Sequence, residues 1–197
     1  MIESGTRRRE IEDVASELFH ANGYAATSVR DIARALDIQG ASLYAHVASK
    51  EDVLWSIVDG AATAFEAKAG DAIADTATSD PVERLAALVE AHVDVVTADP
   101  ERASVFVTEW RHLSGDRRAA IAGRRDAYEA RFRAVIEDGT AVGAFRPTDT
   151  ALAATFILTA LNGLVAWYRP NGRLSSRAVA DAFADLSLRA VQAGSRS

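Results

Sequence analysis

Between Thr27 and Lys50 the chain reads TSVRDIARALDIQGASLYAHVASK, a pattern that fits two short helices joined by a tight turn and little else. Ser28 and Asp31 stand in the S-x-x-D relation, in which the hydroxyl accepts from one free backbone N–H and the carboxylate from another; Thr27 or Ser28 supplies the cap. Ile32, Ala33 and Leu36 make one narrow apolar stripe. Asp37-Ile38-Gln39-Gly40 reads as the turn, since Asp tolerates a left-handed backbone better than most residues. A second helix over 40–47 would point Leu43 and Val47 inwards and leave Ala41, Ser42, Tyr44, Ala45 and His46 on its other faces. Helix, short turn and helix is the helix-turn-helix arrangement, whose second helix enters a DNA major groove. The same periodicity also suits any small three-helix packing, so on pattern alone both readings stay open.

The flanks build outwards from this stretch. Residues 6–22 read as a first helix, with Ile11, Ala15, Leu18 and Phe19 on one face and Asn22-Gly23 as a left-handed stop. Ser49-Lys50-Glu51-Asp52 is a further capping signal, opening a linking helix over 50–70. Ser79-Asp80-Pro81 and Asp99-Pro100 start two more helices, the second expected to end near Leu113. Ser114-Gly115 opens a long helix stopped at Gly139. Residues 149–168 are nearly all apolar, the mark of a helix buried on most sides, and a last helix covers 175–193. Gly70 to Ser79 is the expected mobile loop. The chain therefore reads as all-α: an N-terminal three-helix helix-turn-helix domain over 1–48, and a C-terminal helical bundle over 49–197.

A resemblance to a known family now enters. T-S-V-R-D-I-A-R-A-L, G-A-S-L-Y-A-H-V and S-K-E-D-V-L resemble the signature of the tetracycline-repressor (TetR) family of bacterial transcription regulators. The match is unbroken from Thr27 to Leu54, and Leu43-Tyr44-x-His46-Val47 with Lys50 is its most specific part. One departure is Asp37, where the family usually has Gly. The resemblance implies a ligand-responsive regulator, a repressor released from double-stranded operator DNA by a small hydrophobic or anionic effector. It implies a homodimer whose four-helix interface is formed by the 149–168 and 175–193 helices and their mates. It also implies the DNA contacts: Arg30 reading a base edge, Gln39, Gly40, Ala41 and Ser42 at the start of the recognition helix, and Thr27, Tyr44, His46 and Lys50 at phosphates.

Charge argues neither way. The net charge is −6, and residues 1–50 hold six Lys/Arg against seven Asp/Glu, whereas DNA-binding domains are usually basic. Modest non-specific affinity, and reliance on two half-sites, is the consequence.

For the effector, an aromatic and polar set is scattered through the bundle. Phe106, Trp110, Arg124, Tyr128, Asn162 and Trp167 are the candidate ligand residues, with Phe65, His92, His112, Phe132 and Phe156 in the same broader set. Between 111 and 133 there are seven arginines against three acids; Arg117, Arg124 and Arg131 share one helix face and Arg118 and Arg125 the adjacent one. Rows of Arg suit phosphates, although a solvated arginine face is the plainer reading. R-R-D-A-Y-E-A-R-F-R-A-V-I-E-D-G, G-A-F-R-P and N-G-L-V-A-W-Y-R-P resemble the part of the family that senses acyl-coenzyme A thioesters, ligands that join an apolar tail to phosphates.

Enzyme readings have no support in the sequence. There is no cysteine, no glycine-rich phosphate loop and no nucleophilic serine motif. Glu109-x-x-His112 is one half of a di-iron motif with no second copy, so no metal and no cofactor are expected. No apolar run reaches the length of a membrane span, no signal-peptide core begins the chain, and the absence of cysteine suits the cytoplasm. The alternative from another class is a helical carrier or sensor of hydrophobic ligands that does not act on DNA.

Overall fold

The computed structural model describes residues 2–192, with side chains from Thr6 onwards. Ten α-helices and one 3₁₀ turn make up the described residues: α1 (Ile2–Asn22), α2 (Val29–Ala35), α3 (Gly40–Leu43), α4 (Lys50–Asp75), α5 (Pro81–Ala98), α6 (Pro100–Thr108), the 3₁₀ turn Trp110–His112, α7 (Gly115–Ala141), α8 (Thr150–Asn162), α9 (Leu164–Trp167) and α10 (Ser176–Gln192). They form two units, residues 1–62 with 101–122 and residues 63–100 with 123–197. The boundary expected near residue 48 falls inside the first unit. That unit also takes in α6 and the start of α7.

In the first unit α1 ends at Gly23, whose φ of +82° is the left-handed stop read from Asn22-Gly23. Ile11, Ala15, Phe19, Ile32, Ala33, Leu43, Val47, Leu54 and Ile57 line its interior. Ser28 caps α2 with both halves of the capping box: its hydroxyl accepts from Asp31 N–H at 3.2 Å, and Asp31 accepts from Ser28 N–H at 2.9 Å. Asp37 takes a positive φ of 53°. A carboxylate residue therefore occupies the left-handed turn position.

Four expected element boundaries move. The second helix of the pair is α-helical only over Gly40–Leu43. Its continuation to Val47 is a tightened turn, with His46 N–H donating to Leu43 O at 2.9 Å, because the chain must turn again to reach the Ser49 cap of α4. α4 does not stop at Gly70 but continues through Ala72 and Ala74 to Asp75, so most of the expected loop is helix. No atom stands within 4 Å of a Cβ built on Gly70; alanine-rich sequence carries the helix past it. α6 stops at Thr108 rather than Leu113, because Glu109 and His112 are drawn to Tyr24 in a 3₁₀ turn. α7 runs past Gly139 to Ala141. Gly139 is a site of close approach instead: a Cβ there would stand 2.2 Å from Phe145 Cδ2, and the left-handed stop comes at Gly143.

In the second unit α5 lies along α10 and touches α8 and α9. Asp80 caps α5 by accepting from Val82 and Glu83 N–H. Leu85, Leu88, Val89, Val93, Phe132, Ile136, Phe145, Ile157, Leu161 and Val191 are fully buried. The apolar stretch 149–168 breaks at Gly163 into α8 and α9 and is not buried on most sides. Thr150–Trp167 has a mean hydropathy of 1.6 with a third of its residues buried, so one stretch does reach membrane-spanning length by composition. Its burial is one-sided, however. Ala154, Ile157 and Leu161 face the unit's interior, and Leu152, Phe156 and Trp167 lie at the surface.

One polar pair sits in this interior. His92 Nδ1 is 3.2 Å from the Tyr128 hydroxyl, with Phe65 4.7 Å from the imidazole, centroid to centroid. Burial, with the nearby Arg125 charge, lowers the His92 pKa from 6.5 to about 3; burial raises that of Tyr128.

Two predictions follow from this packing. Gly139→Ala will destabilise by about 1–3 kcal/mol through overpacking on Phe145, whereas Gly70→Ala will stabilise by about 0.5–1 kcal/mol through helix propensity; urea unfolding of both variants checks the opposite signs. Unfolded His92 binds a proton as pH falls through 6.5 and folded His92 does not until about 3. The His92 contribution to stability is therefore full above 6.5 and falls below it, with a limiting slope of about 1.4 kcal/mol per pH unit. Urea midpoints at pH 7 and 5 should separate in the wild type and converge in His92→Leu.

Candidate functional site

The α2–turn–α3 segment presents its polar residues outwards. Tyr44 is 57% exposed, Arg30, Gln39, Ala41 and Ser42 are exposed, and Gly40 and His46 are half-buried. Leu43 and Val47 are fully turned in and anchor the segment. Arg30, Ala33, Arg34, Asp37, Ile38, Gln39 and Gly40 line a surface depression of about 400 Å³ between α2 and the start of α3. Arg34 is paired with Asp31 at 3.0 Å, and the Ser28 hydroxyl bonded to Asp31 holds that carboxyl below its usual pKa. Arg30 forms no ion pair with a described residue, so its fork is available to an incoming acceptor.

Thr27 and Lys50 face the other way. The Thr27 hydroxyl is buried and donates to Gly23 O at 3.0 Å and Leu18 O at 3.3 Å. It has one proton to give, so the expected donation to a phosphate is not available in this arrangement. Lys50 Nζ donates to Tyr24 O and Thr27 O, each at 2.8 Å, and stands 4.0 Å from the centre of the Tyr24 ring. Burial lowers its pKa. It braces the α1–α2 turn, leaving at most one N–H for a phosphate.

The same unit ties this turn to the α6–α7 connection. Tyr24 N–H donates to Glu109 Oε2 at 3.3 Å, and the Tyr24 ring stacks on His112 at 5.2 Å. Glu51 accepts from Ser114 N–H and Oγ–H, which lowers its pKa. Asp52 accepts from Arg8 at 3.4 Å and Arg117 at 3.2 Å. These contacts join residues 44 or more apart in sequence, beyond the reach of local sequence signals.

The six candidate ligand residues fall in both units. Phe106 and Trp110 belong to the first unit, with Arg111 over the Trp110 ring at 4.8 Å. Arg124, Tyr128, Asn162 and Trp167 belong to the second. Trp167 is a surface residue stacked on Phe183 at 6.3 Å. The arginine row is committed within the protein. Arg124 holds Glu66 through two bonds of 2.7 and 2.8 Å and also donates to Thr63. Arg131 donates to Glu66 O at 2.8 Å, and Arg117 is on Asp52. The face shared by these three is bonded to α4. His92, in the broader set but not among the six, is buried against Tyr128, which is one of the six.

Comparison with known proteins agrees with this geometry. Residues 11–56 match the bacterial regulatory proteins of the tetR family, and residues 78–191 match the tetracyclin repressor-like C-terminal domain. The HTH-type transcriptional repressor KstR2 of Mycobacterium tuberculosis is 31% identical over 176 residues, which span 88% of this chain and 87% of the relative. The structure of that ketosteroid transcriptional regulator superposes with a TM-score of 0.88 at 30% identity, covering 95% of each chain. AibR, crystallised with isovaleryl coenzyme A and operator DNA, superposes with a TM-score of 0.80 at 28% identity, covering 94% of this chain and 98% of that one. With both regions matched and the relative aligned over most of its length, this chain belongs to the tetR family of bacterial regulatory proteins.

Proposed function

We propose that the protein is a homodimeric transcriptional repressor that reads operator DNA with α3 and leaves it when an acyl-coenzyme A thioester binds the second unit. The observation that carries the DNA half is the outward display of Arg30, Gln39, Ser42 and Tyr44 around the α2–α3 depression, on a segment anchored by Leu43 and Val47. Arg30 would grip a guanine edge through two N–H groups, with Ser42, Tyr44 and His46 on the flanking phosphates. Thr27 and Lys50 would keep the α1–α2 turn rigid and leave contact to their neighbours. Work on a bacterial operator places the protein in the cytoplasm.

The dimer reading rests on the uncovered apolar face of α8–α10. Phe156 is 61% and Leu186 60% exposed, Leu152 and Trp167 join them, and Ala160 and Gly163 fall on the same face of the 150–167 stretch. Contiguous apolar surface of this kind marks an interaction site in a soluble protein. A self-complementary two-fold contact places two copies of α3 on one duplex. The effector half is supported by AibR, which binds isovaleryl coenzyme A and operator DNA, together with the acyl-CoA-like segments of the sequence. The effector need only bind the DNA-incompetent spacing of the two heads more tightly than the competent one. α4 and α7 each have residues in both units, and would carry the change; a coupling of about 1–3 kcal/mol is typical.

Anisotropy titrations on duplex from upstream of the protein's own gene test the DNA half. Arg30→Ala should lose about 1–3 kcal/mol on the cognate site and little on scrambled duplex at the same salt; unchanged selectivity refutes the assignment. For the dimer, Phe156→Glu with Leu186→Glu should move the sedimenting species from twice 21.0 kDa to 21.0 kDa and weaken operator binding with it. A wild-type chain that sediments as a monomer at micromolar concentration sinks the two-half-site reading.

A further inference from the structure

His92 is a buried imidazole, 2% exposed, whose Nε2 has no hydrogen-bond partner among the described residues. Its other nitrogen is engaged at 3.2 Å by the Tyr128 hydroxyl. Aromatic rings pack on the pair: the Phe65 centroid is 4.7 Å from His92 and 5.8 Å from Tyr128, and Phe132 is 5.6 Å from Tyr128, while the Arg125 charge also acts on His92 and the Arg131 charge on Tyr128. All four residues lie within the second unit, on α4, α5 and α7.

Chemistry narrows what this pair can receive. Burial keeps the imidazole neutral near pH 7 and the phenol protonated. A neutral imidazole carries one donor nitrogen and one acceptor. When Tyr128 donates to Nδ1, the imidazole proton is on Nε2, which becomes a fixed N–H donor in an apolar wall. Buried donors are almost always satisfied in native proteins, by protein, water or ligand. The matching group is an uncharged acceptor attached to an apolar body. A free carboxylate fits poorly, because leaving water for an apolar wall penalises the charge far more than it penalises a carbonyl.

We propose that His92, held in its tautomer by Tyr128, is the positioning donor for the acyl carbonyl oxygen of the effector, with Phe65 and Phe132 as apolar wall. This inference rests on the acyl-thioester reading above and goes beyond it by assigning the residue that distinguishes a thioester from a chain lacking the carbonyl. His92 and Tyr128 are 36 residues apart with no sequence motif between them, so the pair is a product of the fold.

The test uses the full-length protein, a butyryl- to decanoyl-CoA series, the matching S-alkyl-CoA thioethers without the carbonyl oxygen, and the free acids. Calorimetry should show the wild type preferring the best thioester over its thioether by about tenfold, the scale of one buried neutral hydrogen bond. In His92→Leu and Tyr128→Phe that preference should shrink to within about twofold, through loss of thioester affinity alone. A preference unchanged in folded variants overturns the assignment and leaves the acyl-thioester reading intact. If the wild type binds neither thioester nor thioether, both fall; if it binds the free acid as tightly as the thioester, the neutral-carbonyl argument fails. A measurement on the wild type alone guards against misfolded variants. In ¹⁵N-histidine NMR the thioester should move the His92 Nε2–H signal downfield and slow its exchange, and the thioether should not. An Nε2–H that is already protected without ligand, or that ignores the thioester, refutes the proposal.

Discussion

Three successive side chains at the start of α4 hold the first unit together, each by a different bond. Lys50 donates to the carbonyls of Tyr24 and Thr27, Glu51 accepts from Ser114, and Asp52 accepts from Arg8 and Arg117. Acidic residues in a first helical turn suit the helix dipole, and here they serve a second purpose. The carbonyls of Tyr24 and Thr27 belong to the α1–α2 turn, where Tyr24 O also accepts from Thr27 N–H at 3.3 Å. A charged donor shared between them fixes the direction in which α2 departs, and α2 in turn sets where α3 lies. Any displacement of this end of α4 is therefore felt at the exposed Ser42 and Tyr44, a property suited to a regulator whose output is the placement of one short helix.

The arginines of α7 show how charge in a sequence is reassigned by packing. Seven arginines against three acids over 111–133 read as a surplus of positive charge looking for phosphate. In the fold the acids that answer them are on α4, at Asp52 and Glu66, about sixty positions away in the chain. Arg124 and Glu66 meet in the two-bond geometry that guanidinium and carboxylate favour, which lowers the Glu66 pKa. Within each unit, then, this row joins α7 to α4. In the proposed reading the effector's carbonyl would be met instead by a neutral pair, His92 and Tyr128.

The 150–167 stretch carries a related lesson. Nearly uniform hydrophobicity is ambiguous between a membrane span, a core helix and a helix with two apolar partners. The structure resolves one side, where Ala154, Ile157 and Leu161 are buried against the α5–α10 layer, and leaves Leu152, Phe156 and Trp167 outside. A second copy of the same face accounts for that remainder in the proposed dimer, since a two-fold contact requires only that one patch complement itself.

Local sequence determined the helical class, the capping of α2 by Ser28 and Asp31, the left-handed stop at Gly23, the Asp37 turn and the inward Leu43 and Val47. All depend on neighbours within about four residues, where helical period and cap chemistry operate. Family likeness legible in Thr27–Leu54 extended that to the architecture and to the outward recognition surface. Where a bond joins distant residues, local signals were silent or misleading. Gly139 looks like a stop but makes room for Phe145, Glu109 breaks α6 to reach Tyr24, Lys50 and Thr27 turn from the expected phosphates to backbone carbonyls, and His92 finds Tyr128. Only tertiary structure decided these, because a donor's partner is chosen by which acceptor the packed chain brings within about 3 Å, and spacing along the sequence does not contain that distance.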